Sequence, residues 1–272
     1  MQEGGNTRLV VTTAALLLAA LACASLAAAP QTKRPKPRAK PAAPAVAAPS
    51  SAVVPFRAGE TLEYRVLFSK FSVNAAKIET AVLEQRTFFG HPAWHFRATA
   101  HTLDTTRLLF PLDDQFDSYT SAANLVSLQY EMYLREQGKE IKSMYRMTGD
   151  NDPAPPDVTA LRVVPGTRDA IGFLYALRAA DWKRAPELKA PVFDGHHLYD
   201  AVAHLDTPQG NVSLQAGSVA ASGIAIRLFE HGKELADTHF TLWLANDASR
   251  TPVLVEAEIP FGTSRIELTH LP

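Results

Sequence analysis

From Phe56 onward, apolar and polar residues alternate with a period of two, the mark of β-strands with one buried and one wet face. Leu62, Tyr64, Val66 and Phe68 share one face, with Glu63 and Arg65 opposite. Trp94, Phe96, Ala98 and Ala100 alternate with His95, Arg97, Thr99 and His101, and Leu128, Tyr130, Met132 and Leu134 alternate with Gln129, Glu131, Tyr133 and Arg135. The same rhythm runs through residues 198–205, 212–216, 224–228, 240–244, 253–259 and 266–268. Glycine-centred turns at Phe89-Gly90-His91, Gln137-Gly138-Lys139, Gln209-Gly210-Asn211 and His231-Gly232-Lys233 separate these runs, a spacing that makes antiparallel hairpins. The pattern predicts about ten strands in a single β-rich domain over residues 56–272.

One clear helix interrupts the strands. Thr167 is placed to cap it, Asp169 suits its positive first turn, and Ala170, Phe173, Leu174 and Leu177 fall on one stripe. A shorter helical turn is expected over Asp104–Leu109, and residues 149–157 (GDNDPAPPD) read as the best internal loop. The simplest assembly is mainly β: one large curved antiparallel sheet, or open half-barrel, with its apolar concave face covered by the helix. The alternative is a two-sheet β-sandwich.

The first 55 residues follow other rules. Arg8 precedes a charge-free run over residues 9–29, LVVTTAALLLAALACASLAAA, which has the positive start, apolar middle and small-residue end of a secretory signal. The run is also long enough to span a bilayer, so an uncleaved anchor is the competing reading. Ser25-Leu26-Ala27 suits a signal peptidase, whereas Ala20-Leu21-Ala22-Cys23 resembles a lipobox in which Cys23 would carry lipid. Residues 30–55, rich in Pro, Ala and Lys and free of acids, read as a disordered, semi-rigid tether of about 3.1 Å per residue when extended. Localisation outside the bacterial cytoplasm, in the periplasm or at the outer membrane, is the expectation.

Charge divides the chain in the same place. Residues 1–54 hold six basic side chains and one acid, which leaves 21 basic and 27 acidic residues beyond them. The tether's cluster over residues 33–40 suits contact with anionic lipid or cell wall, at about 1 kcal/mol per charge, or serves only to keep the tether solvated. The acidic domain repels phosphate backbones and makes nucleic acid an unsuitable partner. Cys23 is the only cysteine, so the domain has neither a disulfide nor a cysteine nucleophile.

Candidate chemistry is thin. His91, His95 and His101 spread over too long a strand to hold a metal, with His91 and His95 alone about 13 Å apart, and His196-His197 point to opposite faces. Asp113, Asp114 and Asp117 form an acidic knot of the kind used in acid–base work, with nothing in the sequence to say that one is buried. Asp150 and Asp152 lack the glycine and closing glutamate of a calcium loop, and Ser218 and Ser222 form no G-x-S-x-G elbow. No catalytic residue, metal or cofactor is assigned.

The motifs FRAGETLEYRV (residues 56–66), DQFDSY (114–119), DAIGFLYALRA (169–179), PVFDGHHLYD (191–200) and NDASRTPVLVEAEIPFGTSRIEL (246–268) occur in an order that resembles the domain-of-unknown-function family 3108 of bacterial envelope proteins. The resemblance covers nearly all of residues 56–271. It implies an exported β-rich domain, similar to the open half-barrels of lipoprotein carriers, and supplies no catalytic residues. Asn74 departs from the family, which tends to place glycine there.

The expectation for function follows from area. A single helix covers little of a ten-stranded apolar face, which leaves room for a pocket lined by Trp94, Phe96, Tyr130, Met132, Phe173 and Trp243. Its ligand would be a fatty-acyl or similarly apolar group, or a lipidated envelope protein. A scaffold binding protein or glycan is the alternative from a different class, and a hydrolase of envelope polymers ranks last.

Overall fold

The computed structural model describes residues 54–68, 73–148, 158–259 and 262–271. The signal segment with Cys23, nearly all of the tether and the loop at residues 149–157 lie outside them. In chain order the elements are β1 (Thr61–Phe68), β2 (Val73–Phe88), β3 (His91–Thr102), α1 (Asp104–Leu109), β4 (Asp113–Ser121), β5 (Ser127–Glu136), β6 (Lys139–Thr148) and β7 (Thr159–Arg162). Then follow β8 (Arg168–Asp169), α2 (Ala170–Ala179), β9 (Glu187–Phe193), β10 (Leu198–Leu214), β11 (Gly217–Glu230), β12 (Lys233–Ala245), β13 (Pro252–Ile259) and β14 (Gly262–Leu268). Among the described residues no helix is long and apolar enough to cross a membrane.

All strands join one sheet, ordered β7-β6-β5-β4-β3-β2-β1-β14-β13-β12-β11-β10-β9-β8. Two meanders of seven strands meet where the first and last strands pair, Tyr64 opposite Leu268 and Val66 opposite Ile266. This order forces the sheet to roll. Its two edges, β7 and β8, are joined by only residues 163–167. Such a link reaches about 20 Å, whereas fourteen flat strands would span roughly 60 Å. Register shifts at Val82/Glu84 in β2 and at Leu205/Thr207 and Thr207/Gly210 in β10 supply local bends.

The closing end rests on the inner face of the opposite half. Tyr145 of β6 meets Phe193 of β9 edge to face at 5.1 Å. In the turn after β9, Gly195 has φ +107, and a Cβ there would lie 2.4 Å from the Met132 sulfur. Asp194 shapes that turn by accepting the backbone N–H groups of His196 and His197, both at 2.6 Å.

Fourteen strands replace the expected ten, and two parallel pairs, β6–β7 and β8–β9, make the sheet mixed rather than antiparallel. The inner face of β4 explains one omission: it presents Asp114, Phe116, Ser118 and Thr120, all buried, so the apolar alternation fades there. β7 and β8 are too short to show a period. The turns at Phe89-Gly90, Gln137-Gly138 and His231-Gly232 each carry two successive positive φ values, as tight hairpins need. The turn expected at Gln209-Gly210-Asn211 is instead a bend inside β10, and a Cβ on Gly210 would come within 2.9 Å of the Trp243 ring.

The short helix stands where expected, as α1, so there are two helices among the described residues. The longer one does not simply cover the sheet. Eight of the ten residues of α2 are buried, because the rolled sheet encloses the helix on several sides. Its cap also differs from expectation. Asp169 accepts from Gly172 N at 2.8 Å, while Thr167 turns its hydroxyl back to the Val164 carbonyl.

Candidate functional site

Helix α2 is fastened at both ends, and the motifs that stand out in the sequence are what fasten it. At its start, the fully buried Asp169 carboxylate accepts Ser118 Oγ at 2.6 Å and Ser127 Oγ at 2.5 Å, and Ser127 Oγ in turn accepts the Asp169 backbone N–H at 2.8 Å. Burial pushes the Asp169 carboxyl up, opposed by the Gly172 N–H and the two serine hydroxyls. The fit is close: a Cβ on Gly172 would lie 2.7 Å from Ser127 Oγ.

At its end, the fully buried Arg178 side chain pairs with Glu60, donates to the carbonyls of Ser249 at 3.0 Å and Pro55 at 3.2 Å, and lies over the Phe56 ring. Arg250 caps the last turn through the carbonyl of Ala180 at 2.5 Å, and Trp182 Nε1 donates to that of Leu177 at 2.9 Å. Between these ends Tyr175 stacks on Phe96 at 3.8 Å and takes the edge of Phe56 at 5.0 Å.

Beside this packed side of α2 lies a half-open apolar cavity of about 30 Å³. Its walls are Tyr64, Ile78, Thr80, Pro252, Val255 and Ile266 from the centre of the sheet, with Leu174 from the helix. The Tyr64 hydroxyl is engaged by the Pro252 carbonyl at 3.0 Å, and burial pushes its ionisation far up, so it is a neutral wall group. One water needs about 10–15 Å³ of such space, so the cavity is the size of one or two small groups. In its present shape it takes one or two methyl-sized groups rather than an acyl chain.

Of the six residues expected to line a pocket, five are packed core. Trp94, Phe96, Tyr130, Met132 and Phe173 are all buried. Trp94 and Phe96 stack at 6.3 Å beside Phe56, while Tyr130 and Met132 sit under the Gly195 turn. Trp243 stands apart, on the face opposite Leu242 and Leu244, where it lies over Gly210 and Gly223 and donates to Glu256 at 3.0 Å. The residues that do line the cavity were visible only as members of apolar faces. A period of two tells which side a residue is on, but not where packing falls short.

A second cluster, at positions that alternate as the wet face of the strands, lies on the outer face of β3 to β6. The tip of the β2–β3 hairpin folds across it: Phe88 stacks on Tyr119 at 4.1 Å, and Phe89 lies 3.1 Å from the Arg146 guanidinium. Beneath it, Asp117 accepts from His95 at 2.6 Å, Arg97 at 2.9 Å and Gln115 at 2.6 Å. Burial raises the Asp117 carboxyl, but these three donors outweigh it and hold the group below the usual range. Glu131 accepts from Gln129 and Tyr133, both at 2.6 Å, and Gln129 is buried although its strand face points outward.

The acidic knot is split by its strand. Asp113 faces out and is held at about 2, chiefly by Arg107, whereas Asp114 faces in and is pushed up to about 7 by burial. His101 bonds Asp113 at 2.8 Å, and Ser222 bonds the Pro208 carbonyl at 2.7 Å.

A family model described as a protein of unknown function (DUF3108) matches residues 63–269. Among solved structures, the β-barrel-like protein of domain of unknown function DUF1849 from Brucella abortus is similar, with TM-score 0.49 and 10% identity over 77% of this chain and 95% of that one. A protein with a YmcC-like fold from Bacteroides fragilis gives TM-score 0.36 at 10% identity over 82% and 100% of the two chains. A hypothetical protein from Chlamydia trachomatis gives 0.33 at 11% over 76% and 84%. No curated protein matches the chain.

Proposed function

The chain belongs to the DUF3108 family of proteins of unknown function, and we propose from its geometry that it is a non-catalytic binding module of the bacterial envelope that receives an apolar, acyl-like group beside α2. The cavity under Leu174 carries this reading, because an unfilled apolar space on the concave face is where a hydrocarbon gains most from leaving water. One or two methyl or methylene groups fit without rearrangement. A longer chain enters as Leu174 swings aside. Export rests on the Arg8-led apolar run and small-residue end of the leading segment, and Cys23 offers a lipid anchor.

Titration with cis-parinaric acid, displaced by palmitate, tests this function. The wild type is expected to saturate in the micromolar range. Leu174→Trp, which fills the cavity, abolishes binding, and Leu108→Trp on the exposed α1 leaves it unchanged. A wild type that does not saturate, or two variants that bind alike, overturns the proposal.

The second reading, a scaffold for an envelope complex, is favoured by the exposure of Leu108 (85%) and Leu109 (69%) on α1, an apolar pair at the rim of the sheet. If Leu108→Asp removes the protein from a native envelope assembly while parinaric acid binding persists, that surface serves a partner.

A further inference from the structure

The geometry points to residues 55–60 as a latch that holds α2 in place and so controls access to the cavity beside the helix. This inference rests on the cavity being the binding site, and it adds what controls entry. The segment touches the helix at four places. The carbonyl of Pro55 accepts from Arg178 Nη2 at 3.2 Å, and both carboxylate oxygens of Glu60 take the same guanidinium, one of them at 3.0 Å. The Phe56 ring lies under that guanidinium and edge-on to Tyr175 at 5.0 Å.

The segment makes few backbone hydrogen bonds to the sheet, and its Phe56 ring packs edge-on against Trp94 at 5.3 Å and Phe96 at 5.5 Å of β3. Gly59 N donates to the Val82 carbonyl at 2.7 Å, and Val82 N donates to that of Glu60 at 2.9 Å. Residues before Gly59 reach the rest of the domain through Arg178 and the aromatic cluster of Trp94, Phe96 and Tyr175.

Two facts tie the latch to the cavity. Leu174 and Arg178 are four residues apart on α2 and therefore share a face, so a shift of one carries the other. Arg178 has no exposed side-chain surface, and a buried guanidinium that loses its carboxylate gains more from water than from staying. Pulling residues 55–60 away thus favours outward movement of the C-terminal turns of α2, and Leu174 leaves the cavity with them.

The test uses the full exported chain and compares wild type with Glu60→Gln by amide hydrogen exchange and by the rate of cis-parinaric acid uptake. The expected result is a tenfold or greater rise in exchange for Phe173–Ala180 amides, no change for β12 amides such as Leu242, and faster uptake. If the α2 amides exchange as in wild type, or if α2 and β12 accelerate together, the latch is refuted. Should Glu60→Gln not accumulate as folded protein, Phe56→Ala loosens the same segment without stranding a charge and should move α2 exchange in the same direction by a smaller factor. A wild type that takes up no parinaric acid, with α2 exchange still responding, refutes the binding proposal and leaves the latch. Uptake with unresponsive exchange refutes the latch and leaves the binding proposal.

Discussion

The two ends of α2 are held by opposite chemistry. At the first, a carboxylate, Asp169, is gripped by neutral hydroxyls from β4 and β5, strands deep in one meander. At the second, a cation, Arg178, is gripped by Glu60 and by carbonyls of the entering chain and the β12–β13 connection. The first end is written into the sheet and moves only if the sheet does. The second depends on segments that precede or connect strands. The difference explains how one helix can be fixed in position yet releasable at one end.

The largest effect should come from the cationic end. Arg178→Met leaves Glu60 and two carbonyls without their donor in a buried site, and a loss of about 3–5 kcal/mol in urea unfolding is expected. Asp169→Ala removes a helix cap worth about 1 kcal/mol and the acceptor of two buried hydroxyls at about 1–2 kcal/mol, so its loss should be smaller. The reverse order would show that the hydroxyl grip, not the ion pair, dominates.

pH acts on two buried carboxyls, of which Asp169 lies at the first end of α2 and Asp114 bonds the Arg135 backbone N–H. Asp114 and Asp169 both have carboxyls raised by burial, so each favours folding when protonated and loses that contribution as pH rises through its folded value. For Asp114, pushed up to about 7, the loss runs from near pH 4 to about pH 7 and amounts to about 4 kcal/mol at most. Urea midpoints of Asp114→Asn should therefore fall less between pH 4.5 and 8 (about the ends of that window) than those of wild type. Any slope left in that variant and removed by adding Asp169→Asn belongs to the first end of α2. Equal slopes in wild type and Asp114→Asn would mean that Asp114 is not the group that titrates.

A subtler change probes the tightness of the hydroxyl grip. Gly172→Ala should gain about 1 kcal/mol of helix propensity but push against Ser127 Oγ, where overpacking costs about 1–3 kcal/mol. A net loss of about 1 kcal/mol is expected by thermal unfolding, and a net gain would show that the first turn has room.

Local signals in the sequence translated well, and cooperative ones did not. The stripe Ala170, Phe173, Leu174 and Leu177 is a helix, and the Phe89-Gly90 and His231-Gly232 turns are hairpins, because backbone handedness is decided within a few residues. β4 was hidden because its inner face carries the Ser118 and Thr120 hydroxyls that surround the start of α2, polar groups needed by a helix about fifty residues away. Gln129 looked solvated because nothing near it in the chain announces that Phe88 and Phe89 fold back over its face. Four of the five conspicuous motifs were legible as motifs, but not as what they are: Phe56–Glu60, Ser118, Asp169, Arg178 and Ser249 converge on the two ends of one helix.

The most direct measurement of the central claim is a methyl NMR titration of the selectively labelled domain with palmitate. If the space beside α2 is the binding site, the methyl signals of Leu174, Ile78, Val255 and Ile266 shift and saturate together, while those of Leu254, buried on the opposite face of β13, and Leu108 on α1 stay in place. Shifts confined to Leu108 and Leu109, or no saturating shift at Leu174, would contradict it.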